Sequence, residues 1–222
     1  LLAVCGTLIG LVIGLLLGGI RAVRIEERDS TVSRIIKRIL HGFVGLYVWI
    51  FRGTPMMVQA LIIYHGLRPI LNWSPVTAGI TIISINTGAY MAEIIRAGIQ
   101  SIDKGQNEAA RSLGMTSTQT MMSIILPQAI RNSFPSIGNE FIVNIKDSSM
   151  LNVIGVIELY FQSSSVAGSL MLYVPTFIVA AILYLLLTTL ATQLLSFVEG
   201  RMNMPKMSGP SSQSVPIERV SE

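Results

Sequence analysis

Residues 1–20, LLAVCGTLIGLVIGLLLGGI, carry no charged side chain. A helix of about 20 apolar residues crosses the hydrocarbon core of a bilayer. In that solvent the backbone must satisfy its own hydrogen bonds, so a run of this kind is constrained to be helical. Further apolar stretches occupy 43–65, 75–95, 136–157 and 170–198. With 51% hydrophobic and 13% charged residues, and a mean hydropathy of +0.62, the composition lies far from that of a soluble domain. The expected fold class is an all-α integral membrane protein with about five transmembrane helices. Gly6, Gly10, Gly14 and Gly18 recur every fourth residue of the first span. They line one helix face, against which a second helix can approach closely.

The second span is interrupted by Arg52-Gly53-Thr54-Pro55. Gly and Pro both weaken a helix interior, so these residues predict a kink, with Arg52 reaching towards the cytoplasmic interface. A hinge or gate is the sharper reading of the same four residues. Charge sets the orientation, because basic loops stay in the cytoplasm. Segment 21–42 holds six Lys/Arg, 96–131 four and the residues after 198 three, whereas loops 66–74 and 158–169 hold only Arg68. Five spans with the N-terminal end outside and the C-terminal end inside satisfy every loop.

Several function classes drop out. The basic residues flank spans instead of forming one patch, which argues against nucleic-acid binding. Cys5 is the single cysteine, and His41 and His65 are far apart, so no disulfide and no metal site is expected. The opening run lacks a basic stretch and a small-residue cleavage site, so a cleaved leader is not expected. Residues 203–222 are rich in Ser and Pro and are expected to form a mobile cytoplasmic tail. They follow a transmembrane domain over 1–202.

Within that domain, 101–130 is polar and joins two spans. Gln106 to Leu113 has helix-forming residues and ends at Gly114, a natural left-handed terminator. Thr116 opens a second helix, with Gln119 three residues on as in a capping box. Pro127 disfavours helical geometry at Leu126 and is expected to close that helix. The result is a bent pair of short helices, suited to docking on a soluble partner.

Glu108-Ala109-Ala110, then Gly114, then Ile124 and Leu126-Pro127 follow the spacing of the EAA motif, and the chain thereby resembles the permeases of ABC importers. FRGTPMMVQ (51–59), AYMAEIIRAGI (89–99), KGQNEAARSLGM (104–115) and IKDSSML (145–151) resemble the polar amino-acid branch of that family. The family commonly has Thr where this chain has Ser148. The resemblance implies a type I ABC importer fold in a bacterial cytoplasmic membrane. It also implies a dimer of permease subunits, identical or not, two ATPase subunits below it, and an extracytoplasmic binding protein that delivers a polar amino acid. Glu108, Ala109, Ala110, Gly114, Leu126 and Pro127 would couple to the ATPase. No G-x-x-x-x-G-K-[ST] loop occurs in the chain. ATP and Mg²⁺ are therefore expected on the partner, with no cofactor and no enzymatic site on this chain.

Charges near the bilayer centre are costly and usually face a protein interior or an aqueous cavity. Glu140, Asn144, Asp147 and Ser148 fall at i, i+4, i+7 and i+8 on the fourth span, while Lys146 points about 100° away from Asp147. Asn86, Tyr90 and Glu93 make a second polar stripe on the third. Two such stripes can line one pocket. Asp147 would take the ammonium of a zwitterionic amino acid and Lys146 its carboxylate, with Glu93, Tyr90, Ser148 and Ser149 completing the site. The plainer reading is that Lys146 pairs with another helix and fixes packing, and that Glu93 pairs with Arg96 or Arg131. Two other functions fit the sequence less well. A carrier driven by ion gradients would use Asp147 and Glu93 as ion sites but has no use for the EAA segment. An intramembrane hydrolase would need a nucleophile–base pair that the two histidines do not supply.

Overall fold

The computed structural model describes residues 1–23, 25 and 30–201, and every regular element among them is a helix. The expected tail at 203–222 lies outside the described residues. Helix α1 (Leu2–Ala22) packs along α4 (Pro75–Gln100) through its glycine face. A Cβ on Gly6 would strike Ile83, one on Gly10 would meet Thr87, one on Gly14 Met91, and one on Gly18 Ile95. The paired numbers rise together, so α1 and α4 run parallel. The chain between them must therefore return to the side from which it came.

That return is made by α2 (Thr31–Gly53) and α3 (Met56–Leu71), which meet at an angle of 111°. The expected kinked span over 43–65 is thus a sharply broken one. Its first helix also starts well before residue 43, inside the stretch expected to be a basic loop. Ser30 starts it by accepting from the Ser33 N–H at 3.2 Å. Residues Arg34, Lys37 and Arg38 then lie opposite the exposed Val32, Ile35, Ile36 and Ile39. This amphipathic periodicity keeps the segment helical where its charges alone argued for a loop.

Small residues make α4 the centre of the fold. Ala78, Thr87, Ala89 and Ala92 are fully buried, which lets α1, α2, α3 and α7 all reach it. Helix α7 (Leu126–Asp147) runs antiparallel to it, with Ser133 beside Ile94 and Asn144 beside Thr87. The expected fourth span is not one α-helix. It changes at Ser148 to a 3₁₀ segment (Ser148–Ile154) and turns at Gly155, where φ is +83°. Ser148 Oγ donates to the Ile145 carbonyl at 2.9 Å, a local bond of the kind that competes with regular helix.

Short α8 (Leu159–Leu170) leads to α9 (Tyr173–Arg201), which returns antiparallel to α7 and places Leu195 over Gly138. Among the described residues three helices are long and apolar enough to span a membrane, or four counting the bent pair. The remaining expected crossing, the fourth along the chain, is the charged α7 with its 3₁₀ extension, which is not among these.

Between α4 and α7 lie α5 (Lys104–Ser112) and α6 (Ser117–Thr120). Gly114 adopts φ +80° between them. Thr116 and Gln119 cap α6 reciprocally: the Gln119 N–H donates to Thr116 Oγ1 at 3.3 Å and the Thr116 N–H to Gln119 Oε1 at 2.9 Å. Pro127, however, does not close this helix. A π turn over Met121–Ile125 joins α6 directly to α7, and Leu126 is helical at φ −62°, ψ −43°. Proline lacks an N–H and its ring crowds the carbonyl four residues back. The wider π turn relieves both problems without a break. The chain is consequently helical from Ser117 to Ile154.

Candidate functional site

Arg52, Gly53, Tyr90 and Glu93 line one open cleft of about 470 Å³, together with Arg21, Val48 and Trp49. The C-terminal half of α2 packs on α4, with Val44 and Val48 against Ala92 and the Phe51 carbonyl accepting from Asn86 Nδ2 at 3.2 Å. Arg52 is exposed and lies over the Tyr90 ring, 5.3 Å from its centroid. Thr54 and Pro55 do not line the cleft. They form the break itself, where Thr54 Oγ1 donates to the Ile50 carbonyl at 2.8 Å.

Glu93 is engaged from both sides. It accepts from Arg21 of α1 at 3.3 Å and from Arg96 one turn along α4, at 3.0 Å from Nε and through a second contact from Nη2. Its partners are thus Arg21 and Arg96, and not Arg131. A second cleft of about 330 Å³, lined by Ile94, Ala97, Ser101, Asn132, Ser133 and Ser136, also reaches Glu93. Glu93 thus lines both clefts.

Lys146, Asp147, Ser148 and Ser149 sit together where α7 becomes 3₁₀, and they do not line the Arg52 cleft. Lys146 is exposed and Asp147 half-buried. No hydrogen bond or ion pair joins either side chain to another described residue. The polar stripe expected on α7 divides. Asn144, 2% exposed, turns inward and donates to Thr7 at 2.8 Å and Thr87 at 2.9 Å. Glu140 is buried, and no described residue donates a hydrogen bond to its carboxylate. It lies within electrostatic range of both Asp147 and Arg52. Asn86 of the α4 stripe is also buried, donating to Gln59 Oε1 at 2.9 Å and to the Phe51 carbonyl at 3.2 Å.

Arg52 lies within electrostatic range of both Glu93 and Glu140, and Glu140 within range of Asp147. The sequence puts Glu140 on the right face without singling it out, and it marks neither Arg21 nor Gln59 as part of the site. The usable signals were an unmatched carboxylate one turn before Asn144 and the amide that ends FRGTPMMVQ. Glu108, Ala109 and Leu113 are exposed on the bent segment, Leu113 by 82%, whereas Ala110 is buried against it. Leu126 is half-buried and Pro127 exposed.

Residues 10–204 match the family described as "Binding-protein-dependent transport system inner membrane component". The chain belongs to this family and is a membrane component of such a transport system. It is 40% identical over 171 residues to the probable amino-acid permease protein YxeN of Bacillus subtilis, covering 75% of this chain and 76% of the relative. It is 35% identical over 207 residues to the glutamine transport system permease protein GlnP of Escherichia coli, covering 91% and 89%. Among solved structures, an amino acid ABC transporter with histidines superposes with a TM-score of 0.78 at 39% identity, over 90% of this chain and 88% of that one. The methionine transporter MetNI in an inward-facing conformation shares the fold, with a TM-score of 0.72 at 21% identity over 90% and 89%.

Proposed function

We propose that this chain is the permease subunit of an ATP-driven importer of polar amino acids, working beside a second permease subunit and above two copies of a separate ABC ATPase. An extracytoplasmic binding protein delivers the substrate, and ATP and Mg²⁺ are held by the ATPase. The observation that carries this reading is the uninterrupted helical path from Ser117 through the π turn to Asp147. One end of that path presents the exposed bent segment. The other end presents Lys146 and Asp147.

Docking of the ATPase on Glu108, Ala109, Ala110 and the turn at Gly114 would move α6, and the helix through Leu126 and Pro127 would carry that displacement to the charged pair. The substrate's ammonium is received by Asp147, supported by Glu140, and its carboxylate by Lys146 or Arg52. Ser148, Ser149 and Tyr90 contact the remainder of the substrate. Glu93 reads a substrate only when its pair with Arg21 or Arg96 opens, which makes it a door between the two clefts. The bend at Arg52–Pro55 acts as the hinge that brings Arg52 to the cleft. Alternation of α1, α2–α3, α4, α7 and α9, with the basic segments 21–42 and 96–131 on one side, supports an N-terminal end outside and a C-terminal end inside.

Uptake into proteoliposomes by the purified complex tests the site. Asp147→Asn is expected to lower uptake at least tenfold while the ATPase still co-purifies. Unchanged uptake rate and substrate dependence in that variant would refute the pocket.

A further inference from the structure

We propose that Gln59 is a positioning residue for the substrate cleft, and that its side-chain amide sets Arg52 against Tyr90. This rests on the reading that the Arg52 cleft lies on the substrate path. The break between α2 and α3 leaves the last carbonyls of α2 without intrahelical donors, and a buried backbone acceptor needs a donor from elsewhere. Gln59, on the first turn of α3 and 6% exposed, supplies the donor from its side chain. Its Nε2 lies 2.9 Å from the Phe51 carbonyl, 2.9 Å from the Thr54 carbonyl and 2.8 Å from Thr54 Oγ1.

The other end of the same amide is held by α4. Gln59 Oε1 accepts from Asn86 Nδ2 at 2.9 Å, and Asn86 Nδ2 also reaches the Phe51 carbonyl at 3.2 Å. Phe51 immediately precedes Arg52, and Tyr90 lies one turn beyond Asn86 on α4. Fixing residue 51 against residue 86 therefore registers residue 52 over residue 90. No described residue other than Tyr90 holds the Arg52 guanidinium at contact distance. The amide clamp is thus what determines where that charge stands. Gln59 itself does not line the cleft and acts through Arg52.

The test uses the complete transporter, reconstituted with its ATPase and binding protein. Gln59→Glu keeps size and the acceptor for Asn86 but can no longer donate to the Phe51 and Thr54 carbonyls. Gln59→Leu removes both functions, and Thr54→Val, which removes only the hydroxyl, replaces it if the Leu chain does not assemble. Hydrogen exchange over 51–56 is expected to rise at least tenfold in Gln59→Glu, and uptake of labelled glutamine to fall about tenfold. In an Arg52→Lys background the same change is expected to lower uptake less than twofold, because the group it positions is already altered. Unchanged exchange, or equal losses of uptake in both backgrounds, overturns the positioning role alone. Native uptake by Arg52→Lys overturns the placing of the cleft on the substrate path, and the proposal falls with it.

Discussion

Asn144 and Thr7 lie 137 positions apart in the chain and are joined by a hydrogen bond of 2.8 Å between α7 and α1. Thr87 of α4 completes the triangle, its hydroxyl 2.9 Å from Asn144 Nδ2 and 3.1 Å from Oδ1. Three helices are thereby pinned at one level, a few residues from the charged pair. Interhelical hydrogen bonds in membranes contribute about 0.6 kcal/mol on average and up to about 1.7. Asn144→Ala removes the shared partner of both threonines. The expected result is a loss of about 1–2 kcal/mol, read as a lower thermal midpoint of the detergent-solubilised complex. The amino-acid concentration for half-maximal uptake should not change, because Asn144 does not face the cleft.

A paired comparison of glycines tests the α1–α4 contact. At Gly14 an added Cβ meets Met91 and also the Ala92 backbone nitrogen at 2.9 Å, whereas at Gly19 nothing lies within 4 Å. Gly14→Ala should therefore destabilise the chain by about 1–3 kcal/mol through overpacking, and Gly19→Ala by less than about 0.5. Protease resistance of the purified complex on heating separates the two. Equal behaviour would contradict the parallel register of α1 on α4.

Gly114 tests the bent segment. Nothing lies within 4 Å of a Cβ there, so any penalty comes from the backbone, whose φ of +80° disfavours side chains. Gly114→Val is expected to strain the turn by about 1–2 kcal/mol and to abolish ATP-driven uptake with the chain still inserted. Gly114→Asn, which tolerates left-handed geometry, should retain most of it. Full transport by the valine variant would count against the docking model.

Much of this fold is legible where a single local rule acts without competition. The glycine stripe of α1 needs only helical periodicity, and the turn at Gly114 and the Thr116–Gln119 cap are complete within a few residues. Pro127 shows where such a rule stops. The bias against helix at Leu126 is real, yet a π turn at Met121–Ile125 absorbs it, and no local propensity chooses between a break and a wider turn. The start of α2 was hidden for a similar reason: charge count marks 31–42 as a loop, while the spacing of Val32, Ile35, Ile36 and Ile39 marks it as a helix.

The site was legible as residue types more than as directions. Glu140, Asn144 and Asp147 share a face by spacing, but packing sends Asn144 to the threonines of two other helices. Glu140 is left without a hydrogen-bond donor among the described residues. Glu93 was visible as a membrane charge with Arg96 three residues on. That Arg21 also reaches it depends on α1 and α4 lying parallel, which only the whole fold decides. Gln59 carries no chemical signature by itself, and its part follows from a 111° bend that sequence marks without measuring.

The most direct test of the central claim is uptake of a panel of labelled polar amino acids by proteoliposomes holding this chain with its co-purified ATPase and binding protein, with ATP inside or absent. Uptake that requires ATP and the ATPase, and is lost in Gly114→Val, is the predicted result. Accumulation by the permease alone under a proton or sodium gradient would contradict it and would make Asp147 and Glu93 ion sites.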